Sequence, residues 1–209
     1  FRHRPVILPV IHVEWPDQAL RNAAIARQAG CDGVFLINHA GSCADLLAIH
    51  GAVQAEFPDW WIGVNCLDVA PWQIFDLIDQ RVAGVWVDNA GINEAAERQY
   101  FAERVAEARA RSGWSGLYFG GVAFKYQRPV SDLARAATLA TSYMDVVTTS
   151  GPGTGQFPAH RVERTQGAAA HTVHHGQPGH ARKKRHAGQP QGEQEQGRAE
   201  KAQGAGKPV

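Results

Sequence analysis

The chain has 209 residues, of which 44% are hydrophobic and 20% are charged, a composition typical of a globular protein with a buried core. Its formal net charge of +1 combines two unlike parts, because residues 1–157 carry 12 basic against 16 acidic side chains and residues 158–209 carry 9 against 4. The sequence contains no Gly-X-Y repeat, no heptad run and no apolar stretch of about 18 residues. These absences argue against collagen, coiled-coil and membrane-inserted proteins.

Between residues 5 and 155, short apolar runs alternate with longer segments of helical period, which is the pattern of a parallel sheet built from β/α units. The apolar runs predict six strands, over residues 6–13, 33–38, 61–66, 84–88, 116–124 and 144–149. The segments between them predict five helices, over residues 17–29, 43–56, 71–81, 94–111 and 132–142. Most strands are apolar at successive positions, which indicates a sheet that is covered on both faces.

Two architectures fit this repeat, a doubly wound open sheet and a (β/α)₈ TIM barrel. A dinucleotide-binding sheet has a glycine-rich turn after its first strand, but residues 11–16 contain no glycine. Polar residues instead follow nearly every strand, where barrel enzymes place their chemistry. Since such a barrel needs eight strands in about 250 residues, the six predicted units make an incomplete α/β barrel of the TIM type over residues 1–157.

The last quarter of the chain has a different composition. From Pro158 onward there is no Leu, Ile, Phe, Tyr, Trp, Asp, Asn or Ser, so this segment cannot bury enough apolar surface to offset its ordering entropy. We predict a low-complexity, basic and disordered tail over residues 158–209. The abrupt change near Phe157 also suggests a reading-frame shift in a GC-rich gene, with a genuine tail as the alternative.

The candidate catalytic residues are the polar side chains at the strand ends. They are His12, Asn38, Asn65, Asp88 and Lys125. His12 or Asp88 would transfer protons, the two amides would orient a substrate, and Lys125, the only lysine before Lys183, would hold negative charge or form a Schiff base. Each residue alone has an ordinary structural explanation, and it is their recurrence at successive strand ends that favours a site.

A glycine-rich segment after the sixth strand is the candidate phosphate-binding loop. Its residues are Ser150, Gly151, Gly153, Thr154 and Gly155. Glycines allow backbone N–H groups to approach an anion, and the hydroxyl groups add donors. The segment lacks the lysine of a P-loop and is not GxGxxG, so a plain flexible turn is the alternative.

No metal or cofactor is predicted. His12, His39, Cys66 and Asp88 have the ligand types of a transition-metal site, but no HxH or HExxH pair supports one. The three cysteines lack a CxxC pair, so neither a disulfide framework nor a zinc ribbon is expected and the predicted location is the cytoplasm. Pro9 interrupts the first apolar run, which argues against a signal peptide. The basic run 182–185 would attract nucleic acid only nonspecifically.

Four segments together resemble the BtpA-like family. They are residues 5–12, 63–67, 122–125 and 145–151, the last followed by Gly153, Thr154 and Gly155. The resemblance covers about residues 5–156 and implies a TIM barrel related to the ribulose-phosphate-binding barrels. The namesake of the family is linked to photosystem I accumulation. From residue 157 the chain departs from the family pattern.

The sequence is therefore compatible with three functions. The first is a barrel enzyme that binds or converts a small phosphorylated or anionic metabolite, by isomerase, lyase or transferase chemistry. The second is a noncatalytic assembly or stability factor, as the resemblance implies. The third is a truncated, nonfunctional product, whose unpaired edge strands would favour aggregation or a homo-oligomer.

Overall fold

The computed structural model describes residues 5–151. The predicted tail over residues 158–209, with its frame-shift hypothesis, lies outside them. Six strands are present in the described part: β1 (Val10–Val13), β2 (Gly33–Asn38), β3 (Trp61–Asn65), β4 (Gly84–Val87), β5 (Leu117–Gly121) and β6 (Val146–Thr148). Four α-helices accompany them: α1 (Pro16–Gln28), α2 (Cys43–Glu56), α3 (Tyr100–Ser112) and α4 (Leu133–Ala140).

All six strands belong to one parallel sheet, in the spatial order β1-β2-β3-β4-β5-β6. The order follows the chain without the reversal that defines a doubly wound sheet. The predicted α/β class and the six parallel strands are therefore confirmed for residues 5–151.

The two faces of the sheet are packed differently. One face is covered by the helices, whose buried residues share a core with the apolar side chains that this face presents, such as Leu36, Val64 and Tyr118. The other face carries a separate cluster, which we call the aromatic face. Its buried members are Phe35, Trp86, Phe119, Phe124 and Val146. Since all of them lie in strands or in the loop after β5, side chains of the sheet itself fill this face.

The ring of Phe35 is the centre of the aromatic face. It is fully buried and makes edge-to-face contacts with Trp61, Trp86 and Phe119, at centroid distances of 5.0, 5.5 and 5.0 Å. Such contacts are the geometry that aromatic quadrupoles favour. Residues of four neighbouring strands are thereby held together on one side of the sheet.

Local signals explain where two helices begin and end. The hydroxyl of Ser42 accepts the backbone N–H of Asp45, and the carboxylate of Asp45 accepts the N–H of Ser42, so α2 begins with a complete capping box. Gly113 ends α3 in the left-handed conformation, with φ of 66°, which glycine adopts without steric cost.

Replacing the cap should weaken α2 measurably. We expect Ser42→Ala to lower the free energy of unfolding by about 1 kcal/mol, because one N–H of the first turn loses its acceptor. Urea denaturation followed by circular dichroism measures the change. Ser42→Thr keeps the acceptor and should restore most of the stability. Equal stability of the alanine variant and the wild type would show that the capping box contributes nothing.

The prediction of a helix over residues 71–81 is wrong. The structure has only a 3-10 helix, Ile74–Asp76, in this segment. Polar side chains in this segment accept hydrogen bonds from nearby backbone N–H groups. Gln73 accepts the N–H of Ala70, and Asp79 accepts the N–H of Arg81. Such local bonds compete with helix formation.

The helix predicted over residues 94–111 begins later, at Tyr100. The side chain of Gln99 accepts the N–H of Asn93 and donates to the carbonyl of Asn93, which closes the preceding segment into an irregular turn. The first predicted strand likewise begins only at Val10.

Candidate functional site

The candidate site lies at the carboxyl ends of the strands, on the aromatic face. In the sheet register His12 lies opposite Ile37, and Ile37 lies opposite Asn65. Directly opposed residues of parallel strands share a face, so His12 and Asn65 project to the same side. Two strand spacings separate their Cα atoms, about 10 Å.

His12 packs against a second imidazole that the sequence analysis did not include among the catalytic candidates. The rings of His12 and His39 are stacked, with centroids 4.6 Å apart and planes within 6°. His39 follows the end of β2, which is the neighbour of β1. Two imidazoles therefore face each other where the first two strands end.

The surroundings of His12 keep its ring neutral. Partial burial lowers the pKa of His12 below its ordinary value, and the charges of His39 and Lys125 lower it further. A neutral imidazole at pH 7 can accept a proton, as a general base must. The charge of Lys125 is one cause of this lower pKa, although Lys125 lies 113 positions after His12 in the sequence.

Asn65 and Asp88 form the second polar pair of the site. The amide nitrogen of Asn65 donates to Oδ1 of Asp88 at 2.9 Å. Asn65 is 1% exposed, whereas Asp88 is half-buried. The hydrogen bond fixes one carboxylate oxygen of Asp88 and thereby sets the orientation of the carboxylate at the strand ends.

Asn38 does not join this group. Asn38 lies two positions after Leu36 in β2, so its side chain projects to the same, helix-covered face. Its amide nitrogen donates to Asp68 at 2.7 Å and to the carbonyl of Gly41 at 3.3 Å. Its amide oxygen accepts the N–H of Leu67 at 2.8 Å. These bonds tie the loops after β2 and β3 together, so the structure gives Asn38 a role in loop geometry.

The loop after β5 meets the loop after β6 at Lys125. The backbone N–H of Lys125 donates to the hydroxyl of Ser150 at 2.7 Å, and the hydroxyl of Thr149 donates to the carbonyl of Ala123 at 3.2 Å. Ala123 and Tyr126 have positive φ, 52° and 67°, a strained conformation for residues with a side chain. Lys125 is therefore placed by a tightly constrained segment.

The predicted phosphate-binding loop is described only at its beginning. Ser150 and Gly151 lie within the described residues, whereas Gly153, Thr154 and Gly155 lie outside them. The hydroxyl of Ser150 donates to the carbonyl of Gly151 at 3.1 Å. The strand before this loop presents Thr148, which is fully buried and whose hydroxyl has no hydrogen-bond partner within residues 5–151.

An ion pair between the buried carboxylate of Glu94 and the 44% exposed side chain of Arg128 joins two loops at the same end of the sheet, and sequence reasoning did not predict it. Glu94, 3% exposed, pairs with the guanidinium group of Arg128 and accepts the N–H of Ser131 at 2.9 Å and its hydroxyl at 3.0 Å. The guanidinium group also donates to the carbonyl of Ile92 at 3.3 Å. Nothing in the local pattern marks this pair, since Glu94 and Arg128 are 34 positions apart.

The cysteines also differ from the prediction. Cys43, at the start of α2, and Cys66, directly after β3, form a disulfide bond, whereas no disulfide was expected. Two cysteines 23 positions apart carry no pairing signal in the sequence, and it is the adjacency of β2 and β3 that brings them together. Cys31 is a free thiol.

Two further observations concern the described residues alone. Within residues 5–151, no three His, Cys, Asp or Glu side chains are grouped so that they could hold a metal ion. None of the helices described is both long and apolar enough to cross a bilayer.

Comparison of the sequence with protein-family models and with curated proteins found no match. The BtpA-like resemblance therefore stays a prediction.

Proposed function

We propose that the chain is a (β/α)₈-type barrel protein that binds a small phosphorylated or otherwise anionic metabolite at the carboxyl ends of its strands. The barrel is supported by the strand order, which follows the chain, and by the aromatic face, which side chains of the sheet fill. In a closed barrel the interior is packed by strand side chains in this way, and helices cover only the outside. The described residues supply six of the eight strands of such a barrel and four of its helices.

The observation that carries the anionic ligand is the group formed by His12, His39 and Lys125. The ammonium group of Lys125, whose charge lowers the pKa of His12, supplies the positive charge that attracts an anion, and the stacked imidazoles of His12 and His39 offer ring nitrogens for hydrogen bonds. The ammonium group of Lys125 would bind the anion as a point charge. The strand-end position agrees with the place where barrel proteins bind ligands.

The remaining residues suit proton transfer on the bound metabolite. His12 is neutral at pH 7 and can accept a proton, while the carboxylate of Asp88, oriented by Asn65, can accept another or stabilise a developing positive charge. Isomerase, lyase and transferase reactions on sugar phosphates use such steps. Anion binding demands less of Lys125 than Schiff-base formation does, so we assign it the former role.

Calorimetric titration of the full-length chain with ribose 5-phosphate, and separately with ribose, tests this proposal. We expect saturable binding of the phosphate ester, weakened about tenfold or more in Lys125→Gln, because a charged hydrogen bond contributes about 1.5–3 kcal/mol. Arg21→Gln removes the same charge from an exposed position on α1 and should leave the affinity unchanged.

Two results would contradict the proposal. Equal affinity of wild type and Lys125→Gln would remove Lys125 from the site. Equal binding of ribose and its phosphate would show that the anion is not what the site recognises.

A further inference from the structure

The disulfide between Cys43 and Cys66 lies beside the candidate site. We propose that these two cysteines are a reversible thiol–disulfide pair that clamps the loop after β2 to the end of β3. Their Cα atoms are 5.2 Å apart, within the range that a disulfide spans without backbone movement. This inference is independent of the proposed ligand, because it concerns the chemistry of the pair itself.

The disulfide reinforces a set of hydrogen bonds between the same two segments. Asp68 accepts the backbone N–H of Cys43 at 3.0 Å and the amide of Asn38 at 2.7 Å. Asn38 in turn accepts the N–H of Leu67 at 2.8 Å. When the sulfur–sulfur bond is broken, these polar contacts and the packing of Cys43 and Cys66 in the core still keep residues 38–43 near residues 66–68, but no covalent bond joins them. Reduction therefore loosens the two segments without dismantling the sheet.

The clamp is adjacent to two residues of the candidate site. His39 lies in the loop between β2 and Cys43, and Asn65 directly precedes Cys66. The stacking of His39 on His12 and the bond from Asn65 to Asp88 both depend on where these segments end. The redox state of the pair therefore controls how firmly one side of the site is held.

Accessibility decides how the bond reacts. Cys43 is 2% exposed, whereas Cys66 is half-buried, so an attacking thiolate reaches the sulfur of Cys66 first. Cys31 precedes β2 at the opposite end of that strand and cannot take the place of Cys43 without rearrangement of the sheet. The exchange is thus confined to one pair.

The reaction balances as thiol–disulfide exchange. A dithiol such as dithiothreitol supplies two electrons and two protons, the bond between the two sulfur atoms breaks, and the reductant becomes a cyclic disulfide. In the reverse direction, oxidised glutathione accepts two electrons from the thiols of Cys43 and Cys66, and two molecules of glutathione leave.

Peptide mapping of the full-length chain tests the pairing. The protein is oxidised with glutathione disulfide, blocked with N-ethylmaleimide and cleaved after aspartate and glutamate, so that Asp32 and Glu56 place Cys31, Cys43 and Cys66 in three separate fragments. We expect a cross-linked pair of fragments that disappears on prior reduction. Cys31→Ser should keep the cross-link, and Cys66→Ser should abolish it.

Comparison of the oxidised and reduced forms tests the clamp. We expect reduction to lower the melting temperature by about 5–10 °C and to speed amide hydrogen exchange at Cys43 and Leu67 about tenfold or more. A cross-link that includes Cys31, the absence of any cross-link, or a bond that dithiothreitol does not reduce in the native protein would overturn the proposal. Identical exchange rates in the two forms would overturn the clamp.

Discussion

Gly63→Ala is expected to lower the free energy of unfolding by about 3 kcal/mol, the upper end of the range for overpacking a core. A Cβ atom at Gly63 would come within 2.5 and 2.7 Å of two ring carbons of Phe35, and within 2.8 Å of the ring of Trp61. Both rings are held by other rings of the aromatic face, so neither can turn away cheaply. Urea denaturation of the variant measures the loss.

Gly51→Ala is the matched control. Gly51 lies inside α2, and a Cβ atom there meets nothing within 4 Å, so the same substitution should stabilise the protein by about 0.5–1 kcal/mol through helix propensity. The two variants must therefore shift stability in opposite directions. Shifts of the same sign would show that the aromatic face is not packed as described. Phe35→Leu introduced together with Gly63→Ala should recover part of the loss, because the two sites are in contact.

The strands were predictable because each is a run of apolar residues that packing on both faces demands. β2 has the bounds predicted for it, Gly33–Asn38, and every residue in it is buried. Other predicted strands run one residue too far, as at Asp88 after β4, because that last position is outside the ladder of hydrogen bonds. Element type followed from periodicity, whereas the ends depended on local side-chain bonds.

The candidate site was predictable in its position and only partly in its members. Parallel strands bring their carboxyl ends to one edge, which placed His12, Asn65, Asp88 and Lys125 at the same end of the sheet. Which face each one projects to depends on the register, and a shift of one residue reverses it. Asn38 therefore lies on the other face, although it also ends a strand.

The parts that sequence reasoning missed are contacts between distant segments. The stacking of His39 on His12 joins the ends of two strands, and the disulfide joins the start of a helix to the end of the next strand. Neither has a local pattern, because each depends on the sheet register. Long-range pairs of this kind become visible only when the order of the strands is known.

Glu94→Gln should cause the largest loss of stability among the ionisable residues at this end of the sheet. The guanidinium group of Arg128 and the N–H of Ser131 hold the pKa of Glu94 well below its ordinary range. At pH 7 the glutamine cannot form an ion pair with Arg128, and its NH2 group replaces one of the two carboxylate oxygens that accept hydrogen bonds. We expect the melting temperature to fall by several degrees, and calorimetry measures the fall.

The pH dependence of this loss distinguishes an ionic role from a packing role. Because the pKa of Glu94 is lower in the folded protein than in the unfolded chain, its contribution is complete above the ordinary glutamate pKa of about 4.3 and is lost as the pH falls below it. This linkage predicts that the difference in melting temperature between wild type and Glu94→Gln is constant from about pH 6 to 8 and becomes smaller in acid.

Glu103→Gln provides the comparison, because it makes the same chemical change in a surface pair. Glu103 accepts from Arg98 at 2.9 Å, and the arginine side chain is 62% exposed, so this pair contributes little. We expect a much smaller fall at pH 7 and no comparable narrowing in acid. If the two variants behave alike, or if the Glu94→Gln difference is the same at every pH, the Glu94–Arg128 pair holds the loops by shape, and its charge contributes nothing.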